Sequence, residues 1–281
     1  MTRRDDMIDA LGIGPQWVRR SATGERAAAA AIDEAAADQP ASRSALQYIH
    51  QSASQPILQS APAASAQLPA PAANVPPATD AEIAEMDWAA LQAAVSTCTR
   101  CPLCRSRTRT VFGVGDPDPS WLFVGEGPGR NEDRQGEPFI GPAGKLLDNM
   151  LAAVSLDRRK GVFIANVVKC RPTDTDGKDR APASEEVAAC RPYLERQIAL
   201  LKPTLLVALG KTAALALLQR PPATTLSALR GEVHQYAALP MVVTYHPAYL
   251  LRVPADKRKT WEDLCLAMDV HAAQASSATP A

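Results

Sequence analysis

Gly125-Glu126-Gly127-Pro128-Gly129-Arg130-Asn131-Glu132-Asp133, continued by Gly136-Glu137-Pro138-Phe139-Ile140-Gly141-Pro142-Ala143-Gly144-Lys145, joins an apolar stretch at 121–124 to an amphipathic pattern at 145–154. The first reads as a buried strand and the second as a helix. Six glycines and three prolines crowd into residues 125–144. Glycine lets a backbone come close to a ligand, and loops on a rigid scaffold are where sites concentrate. The run therefore predicts one half of an active site at a strand end. Two phosphate-binding loops are excluded. A Walker A loop needs Ser or Thr after Lys145 and a glycine five residues before Gly144, but those places hold Leu146 and Phe139. A dinucleotide fingerprint needs a third glycine where Arg130 stands, and Pro128 would interrupt the helix start.

Outward from this run, apolar stretches at 162–168, 205–209 and 241–245 read as three more buried strands. Helix patterns at 144–154, 184–201, 211–219 and 259–271 lie between or after the strands. Ser184 with Glu185 and Glu186 makes a good helix start, since carboxylates in a first turn favour the helix dipole. Strands alternating with helices predict an α/β fold on a four-stranded, mostly parallel sheet. In such sheets ligands sit beyond the carboxyl ends of the strands.

Composition divides the 281 residues unevenly. Residues 1–87 hold 6 Lys/Arg against 11 Asp/Glu, and residues 88–281 hold 24 against 19, so an acidic tail precedes a mildly basic body. Such a body is compatible with nucleic acid without requiring it. No run of eighteen apolar residues predicts a membrane span, and no secretory signal is evident, so the expected location is cytoplasmic, beside the nucleoid. Residues 24–83 are rich in Ala, Pro, Ser and Gln and poor in aromatics, which predicts a disordered linker. The folded body is expected over 84–271, with a disordered C-terminus at 272–281. Ahead of the linker, Met7, Ile8, Leu11, Ile13 and Trp17 could form one apolar face, so residues 1–23 read either as a docking peptide or as a frayed terminus.

The strand ends carry the chemistry. The first leads into Glu126, the second carries Asn166 and ends at Lys169-Cys170, the third ends at Gly210, and the last ends at Thr244-Tyr245-His246-Pro247. Asn166 can donate and accept in one plane, which suits the edge of a nucleobase or another amide. His246 can donate to a developing anion, and Phe139 could stack on a planar ring. Alone, Asn166 or His246 would read as structural; their shared edge favours a site. Tyr249-Leu250-Leu251-Arg252 could wedge into a stack of bases and hold phosphate, or begin a helix packed on the sheet. Cys98-Thr99-Arg100-Cys101-Pro102-Leu103-Cys104 is a dense thiol cluster, and Cys170 and Cys190 follow later. Four soft ligands from these five would bind zinc or an iron–sulfur cluster, leaving one spare. Cys265 lies in a helix pattern and reads as a packed thiol.

Residues about 95–265 resemble the iron–sulfur-containing family 4 uracil-DNA glycosylases of bacteria and archaea. The matching elements are Gly125-Glu126-Gly127-Pro128-Gly129 with Glu132-Asp133, Pro138-Phe139 with Gly141 and Ala143-Gly144, Asn166-Val167-Val168-Lys169-Cys170-Arg171-Pro172, Cys190 with Pro192-Tyr193-Leu194, Ala208-Leu209-Gly210, and His246-Pro247 with Tyr249-Leu250-Leu251-Arg252. The resemblance implies a three-layer α/β/α sandwich around a four-stranded sheet. It implies a [4Fe–4S] cluster on Cys98, Cys101, Cys170 and Cys190, with Cys104 spare, pinning the loop between Cys170 and Cys190 beside DNA. It also implies a monomeric enzyme that flips uracil out of DNA and hydrolyses its N-glycosidic bond. The implied roles are stacking for Phe139, close backbone contact for Gly127, edge reading for Asn166 and anion stabilisation for His246. Glu126 would support the cationic sugar or orient water, and Leu250, Leu251 and Arg252 would contact DNA. The histidine of an inserted Arg-Arg-Ile-His segment, which traps DNA covalently in one subfamily, is absent here, so turnover is expected. A non-catalytic DNA-binding scaffold tied to replication is the alternative. Arg3-Arg4-Asp5, Leu11-Gly12-Ile13 and Gln16-Trp17 with Arg19-Arg20 resemble the N-terminal peptide of the psi subunit of bacterial DNA polymerase III, which implies a clamp-loader partner.

Overall fold

A computed structural model describes residues 77–277. Six strands form one sheet: β1 (Val114–Gly115), β2 (Trp121–Gly125), β3 (Val162–Asn166), β4 (Leu205–Leu209), β5 (Val233–Tyr236) and β6 (Leu239–Thr244). Their order is β1-β3-β2-β4-β6-β5. The central four run parallel, and the two edge strands pair antiparallel. β2, β3 and β4 are buried at every position, because helices cover both faces of the sheet.

The helices are α1 (Asp80–Glu85), α2 (Trp88–Ser96), α3 (Arg130–Gln135), α4 (Pro142–Ala153), α5 (Ser184–Leu201), α6 (Lys211–Leu218), α7 (Pro247–Arg252) and α8 (Lys257–Ser277). Strand alternation sends Leu122, Val124, Phe163, Ala165, Leu206 and Ala208 into one core with α1, α2, α5 and α6. Trp121, Phe123, Val162, Ile164, Leu205 and Val207 enter a second core with α4, α7 and α8. The result is a sheet between two helical layers.

Three expectations need correction. The sheet has six strands rather than four: β1 is only two residues long, and β5 is half-exposed, so neither carries the apolar run that marks a buried strand. The body starts before residue 84. Thr79 and Glu82 close a capping box on α1, and Ile83 is fully buried in the first core, so the end of the expected linker is folded. At the other end α8 continues past residue 271 to Ser277. The segment 1–23, nearly all of the linker and residues 278–281 lie outside the described residues.

Chain order places the site. From β2 the chain moves to β3 on one side, then crosses to β4 and β6 on the other. The crevice at the carboxyl ends of β2 and β4 is thus the switch point where α/β sheets bind ligands. Among the described residues, no helix is long and apolar enough to cross a membrane.

Candidate active site

Gly125 and Asn166 end β2 and β3 as register partners. The pairing continues past the strands, with the Val167 and Val168 amides donating to the Gly125 and Glu126 carbonyls at 2.9 and 3.2 Å. Asn166 is 2 % exposed, and its Oδ1 has no hydrogen-bond partner among the described residues. A buried polar atom left unpaired costs roughly 1–3 kcal/mol, so such an atom at a strand end marks a place where a ligand donor belongs.

Phe139 closes on the same spot from the α3–α4 loop. A Cβ on Gly125 would lie 2.5 Å from both the Phe139 ring and Asn166 Oδ1. Gly125 is therefore the residue that gives the pair room, a role the sequence did not single out. At Gly127, the residue expected against the base, a Cβ would also meet Val168 at 2.8 Å. Phe139 has φ +54°, an uncommon conformation for a residue with a side chain. Its surroundings enforce it. Arg158 donates to the Pro138 and Phe139 carbonyls while paired with Asp148 at 2.8 Å. Glu132 Oε1 accepts from the Ile140 and Gly141 amides at 3.0 and 3.2 Å. Gly144 passes so close that a Cβ there would overlap the Phe139 carbonyl.

His246 follows β6 and caps α7. Its ring stacks near Phe139, with centroids 5.4 Å apart and planes at 29°. Its Nδ1 accepts from the Ala248 amide at 3.1 Å. An amide can only donate, so Nδ1 carries no proton and Nε2 carries the N–H. Burial, reinforced by the Arg252 charge and opposed by Glu132, lowers the imidazole to about 4. At neutral pH this side chain is an uncharged donor through Nε2.

Glu126 follows β2 and accepts from the Thr212 hydroxyl, across the switch point at the start of α6. Thr212 was not foreseen; the only sign of it is a hydroxyl just after a strand-end glycine, a common pattern. Of the three residues expected to touch DNA, the structure corrects one. Leu250 is fully buried in the second core, while Leu251 is 45 % exposed and Arg252 is exposed. Adjacent residues on a helix point about 100° apart, so a short helix docked through Leu250 turns Leu251 and Arg252 toward solvent.

A second constellation lies behind Asn166. Cys98, Cys101, Cys170 and Cys190 line one cavity together with Arg100, Arg107, Lys169 and Tyr193; Cys104 does not line it. Three N–H groups point at sulfur: Arg107 to Cys170 at 3.2 Å, the Lys169 amide to Cys190 at 3.3 Å and the Arg100 amide to Cys98 at 3.5 Å. Such donors favour thiolate over thiol. Burial, the largest influence, outweighs the donors and the neighbouring cations and raises Cys170 to about 11 and Cys190 to about 12, so these bare thiols stay protonated. No three of His, Cys, Asp and Glu form a single-ion site among the described residues. Lys169, 1 % exposed, links the two constellations. Its Nζ donates to the Asn166 carbonyl at 2.9 Å and to Gln197 at 2.5 Å, and its burial lowers it to about 8.

Residues 112–265 match the uracil DNA glycosylase superfamily. The chain is 40 % identical over 187 residues to a type-4 uracil-DNA glycosylase of Pyrobaculum aerophilum, covering 64 % of this chain and 93 % of that one. It is 42 % identical over 166 residues to one from Archaeoglobus fulgidus, covering 57 % and 81 %. It is 43 % identical over 159 residues to one from Thermotoga maritima, covering 56 % and 80 %. The chain belongs to the uracil DNA glycosylase superfamily, in its type-4 branch.

Proposed function

We propose that this enzyme flips uracil out of DNA, breaks its N-glycosidic bond with water and leaves an abasic site for base-excision repair. The observation that carries the reading is the orphaned, buried Asn166 Oδ1 beside Phe139. Uracil offers an N3–H donor next to an O4 acceptor, which pair with Oδ1 and Nδ2 of one amide. Cytosine offers an acceptor next to a donor, so it mismatches Asn166 at both positions in this orientation. An extruded base would stack on Phe139. As the bond from C1′ to N1 breaks, its electron pair passes to uracil and spreads onto O2. The His246 Nε2–H donates there, and being neutral it needs no proton uptake. Glu126 faces the cationic sugar and orients the water whose oxygen bonds to C1′. The water's proton is left for the departing base. Leu251 would fill the gap in the stack, and Arg252 would hold phosphate.

The thiol cavity fits an iron–sulfur cluster on the chemistry of its donors: four sulfurs, three N–H groups aimed at them, and the nearby charges of Arg107 and Lys169. A [4Fe–4S] cluster offers four separate iron corners, so Cys98, Cys101, Cys170 and Cys190 need not converge on one point. When bound, it would cross-link the segment after α2, the segment after β3 and α5, and so fix the loop between Cys170 and Cys190. We expect Cys104→Ser to keep full iron and sulfide content and Cys190→Ser to lose most of it, by iron analysis and visible absorption. Equal loss in both would exclude this ligand set. In the same spirit, the resemblance of residues 1–23 to the psi peptide supports docking on a clamp loader; a pull-down with that peptide recovering no clamp-loader component would reject it.

The activity is tested by incubating the cluster-loaded protein with a uracil-containing oligonucleotide, followed by alkali. Cleavage at uracil, and none at cytosine, is expected. Retained DNA binding without cleavage would point instead to a scaffold.

A further inference from the structure

Glu126 has its backbone and its side chain held by different parts of the fold. The backbone carbonyl accepts from Val168 at 3.2 Å, on the β3 side of β2. The carboxylate is held from the β4 side, where Oε2 accepts the Thr212 hydroxyl at 2.5 Å. The two residues are 86 apart in sequence. They meet because β2 and β4 are register neighbours, Val124 beside Ala208, and both chains emerge into the switch-point crevice.

The Thr212 bond departs from helix habit. A threonine in a helix commonly bonds back to a preceding carbonyl, and one at the cap accepts from an amide. Thr212 lies in the first turn of α6, whose cap is Gly210 and carries no side-chain bond. Its hydroxyl instead gives its only proton to a carboxylate from another strand. The same turn also touches the opposite wall. The Gly210 amide donates to the Thr244 carbonyl at 2.8 Å, and a Cβ on Gly210, at φ +91°, would lie 2.9 Å from that of His246. The β4–α6 turn is thus wedged between Glu126 and His246.

We propose that Thr212 is a positioning residue for the glycosylase reaction, anchoring one oxygen of Glu126 so that the other faces the sugar and the attacking water. A glutamate fixed only at its backbone spreads over many rotamers, and ordering such a chain carries an entropic cost. A charge-assisted bond from a hydroxyl whose own helix is rigid removes most of that freedom before substrate arrives. The inference rests on the role given above to Glu126.

The test is single-turnover release of uracil from a duplex by Thr212→Val, Thr212→Ser, Glu126→Ala and the Glu126→Ala/Thr212→Val double variant of the cluster-loaded, full-length protein. Thr212→Val is expected to slow the chemical step roughly 10- to 100-fold while leaving affinity for a duplex with a non-cleavable uracil analogue unchanged. Thr212→Ser, which keeps the hydroxyl, restores most of the rate, and Thr212→Val adds nothing to Glu126→Ala. Thr212→Ala reads out the same hydroxyl if the valine variant melts early. The proposal is overturned if Thr212→Val runs at the wild-type rate, or slows Glu126→Ala by as much as it slows wild type. If Glu126→Ala itself runs at the wild-type rate, the role of Glu126 fails as well. If Glu126→Ala is slow and Thr212→Val is not, only the role of Thr212 fails.

Discussion

Replacing His246 by alanine is expected to slow uracil release by roughly 100- to 1,000-fold, the usual cost of deleting one donor aimed at a developing anion. Three observations set that expectation. The ring is fixed by stacking near Phe139 and by the Ala248 amide on Nδ1. That amide dictates which nitrogen holds the proton. Burial then keeps the ring neutral by lowering its pKa to about 4. A neutral donor strengthens its bond as charge builds on uracil and holds little of the substrate's ground state, so the loss should appear in the rate constant more than in duplex affinity. The protonation state gives a separate check. In NMR titration of the free enzyme, the His246 nitrogens should keep the neutral, Nε2-protonated pattern down to about pH 5; a midpoint near 6.5 would contradict the geometry. Stability follows the same sign. A folded pKa of about 4, below the ordinary 6.5, means the unfolded chain takes up the proton first. The favourable term is complete above pH 6.5, shrinks as pH falls, and is gone once pH has dropped through the folded value. His246→Gln should therefore flatten the acid side of the stability curve.

Asn166→Ala should cost a comparable roughly 100- to 1,000-fold in uracil release without lowering the melting temperature, because a site built to hydrogen-bond its substrate loses both pairs while the free protein loses nothing. The reason is the unpaired Oδ1. In the absence of base, this buried atom is a standing cost, and removing it removes the cost. The backbone bond from Lys169 survives the substitution, since it uses the Asn166 carbonyl. Asn166→Asp separates hydrogen bonding from shape. It keeps the outline but sets a second acceptor against O4 and a negative charge beside the departing anion. It should therefore be at least as slow as the alanine variant. Retention of near-wild-type activity by Asn166→Asp, or a melting temperature for Asn166→Ala several degrees below wild type, would remove Asn166 as the reader of the base.

Much of the frame was legible in the sequence because burial writes itself into composition. Strands covered on both faces must be apolar throughout, so the central four announce themselves, and the longest internal helix, Ser184–Leu201, falls on its expected bounds. β1 and β5 were silent because edge strands have no such requirement. The strand-end positions of Glu126, Asn166 and His246 followed from strand boundaries and parallel direction alone.

Relations between distant side chains were beyond that reach. Sequence spacing could name five cysteines for four places; the fold sorts them, seating Cys98, Cys101, Cys170 and Cys190 around one cavity and leaving Cys104 aside. Leu250 and Leu251 are equally apolar, and only the docking of α7 decides that the first is core and the second faces solvent. Likewise the grip of Thr212 on Glu126, the clamp of Arg158 on Phe139 and the orphaned oxygen of Asn166 depend on strand order and on loops closing over one another. Hydrophobic pattern is a local property, carried by neighbours along the chain. A catalytic geometry is a property of side chains brought together across a sheet, and it exists only once the strands have taken their order.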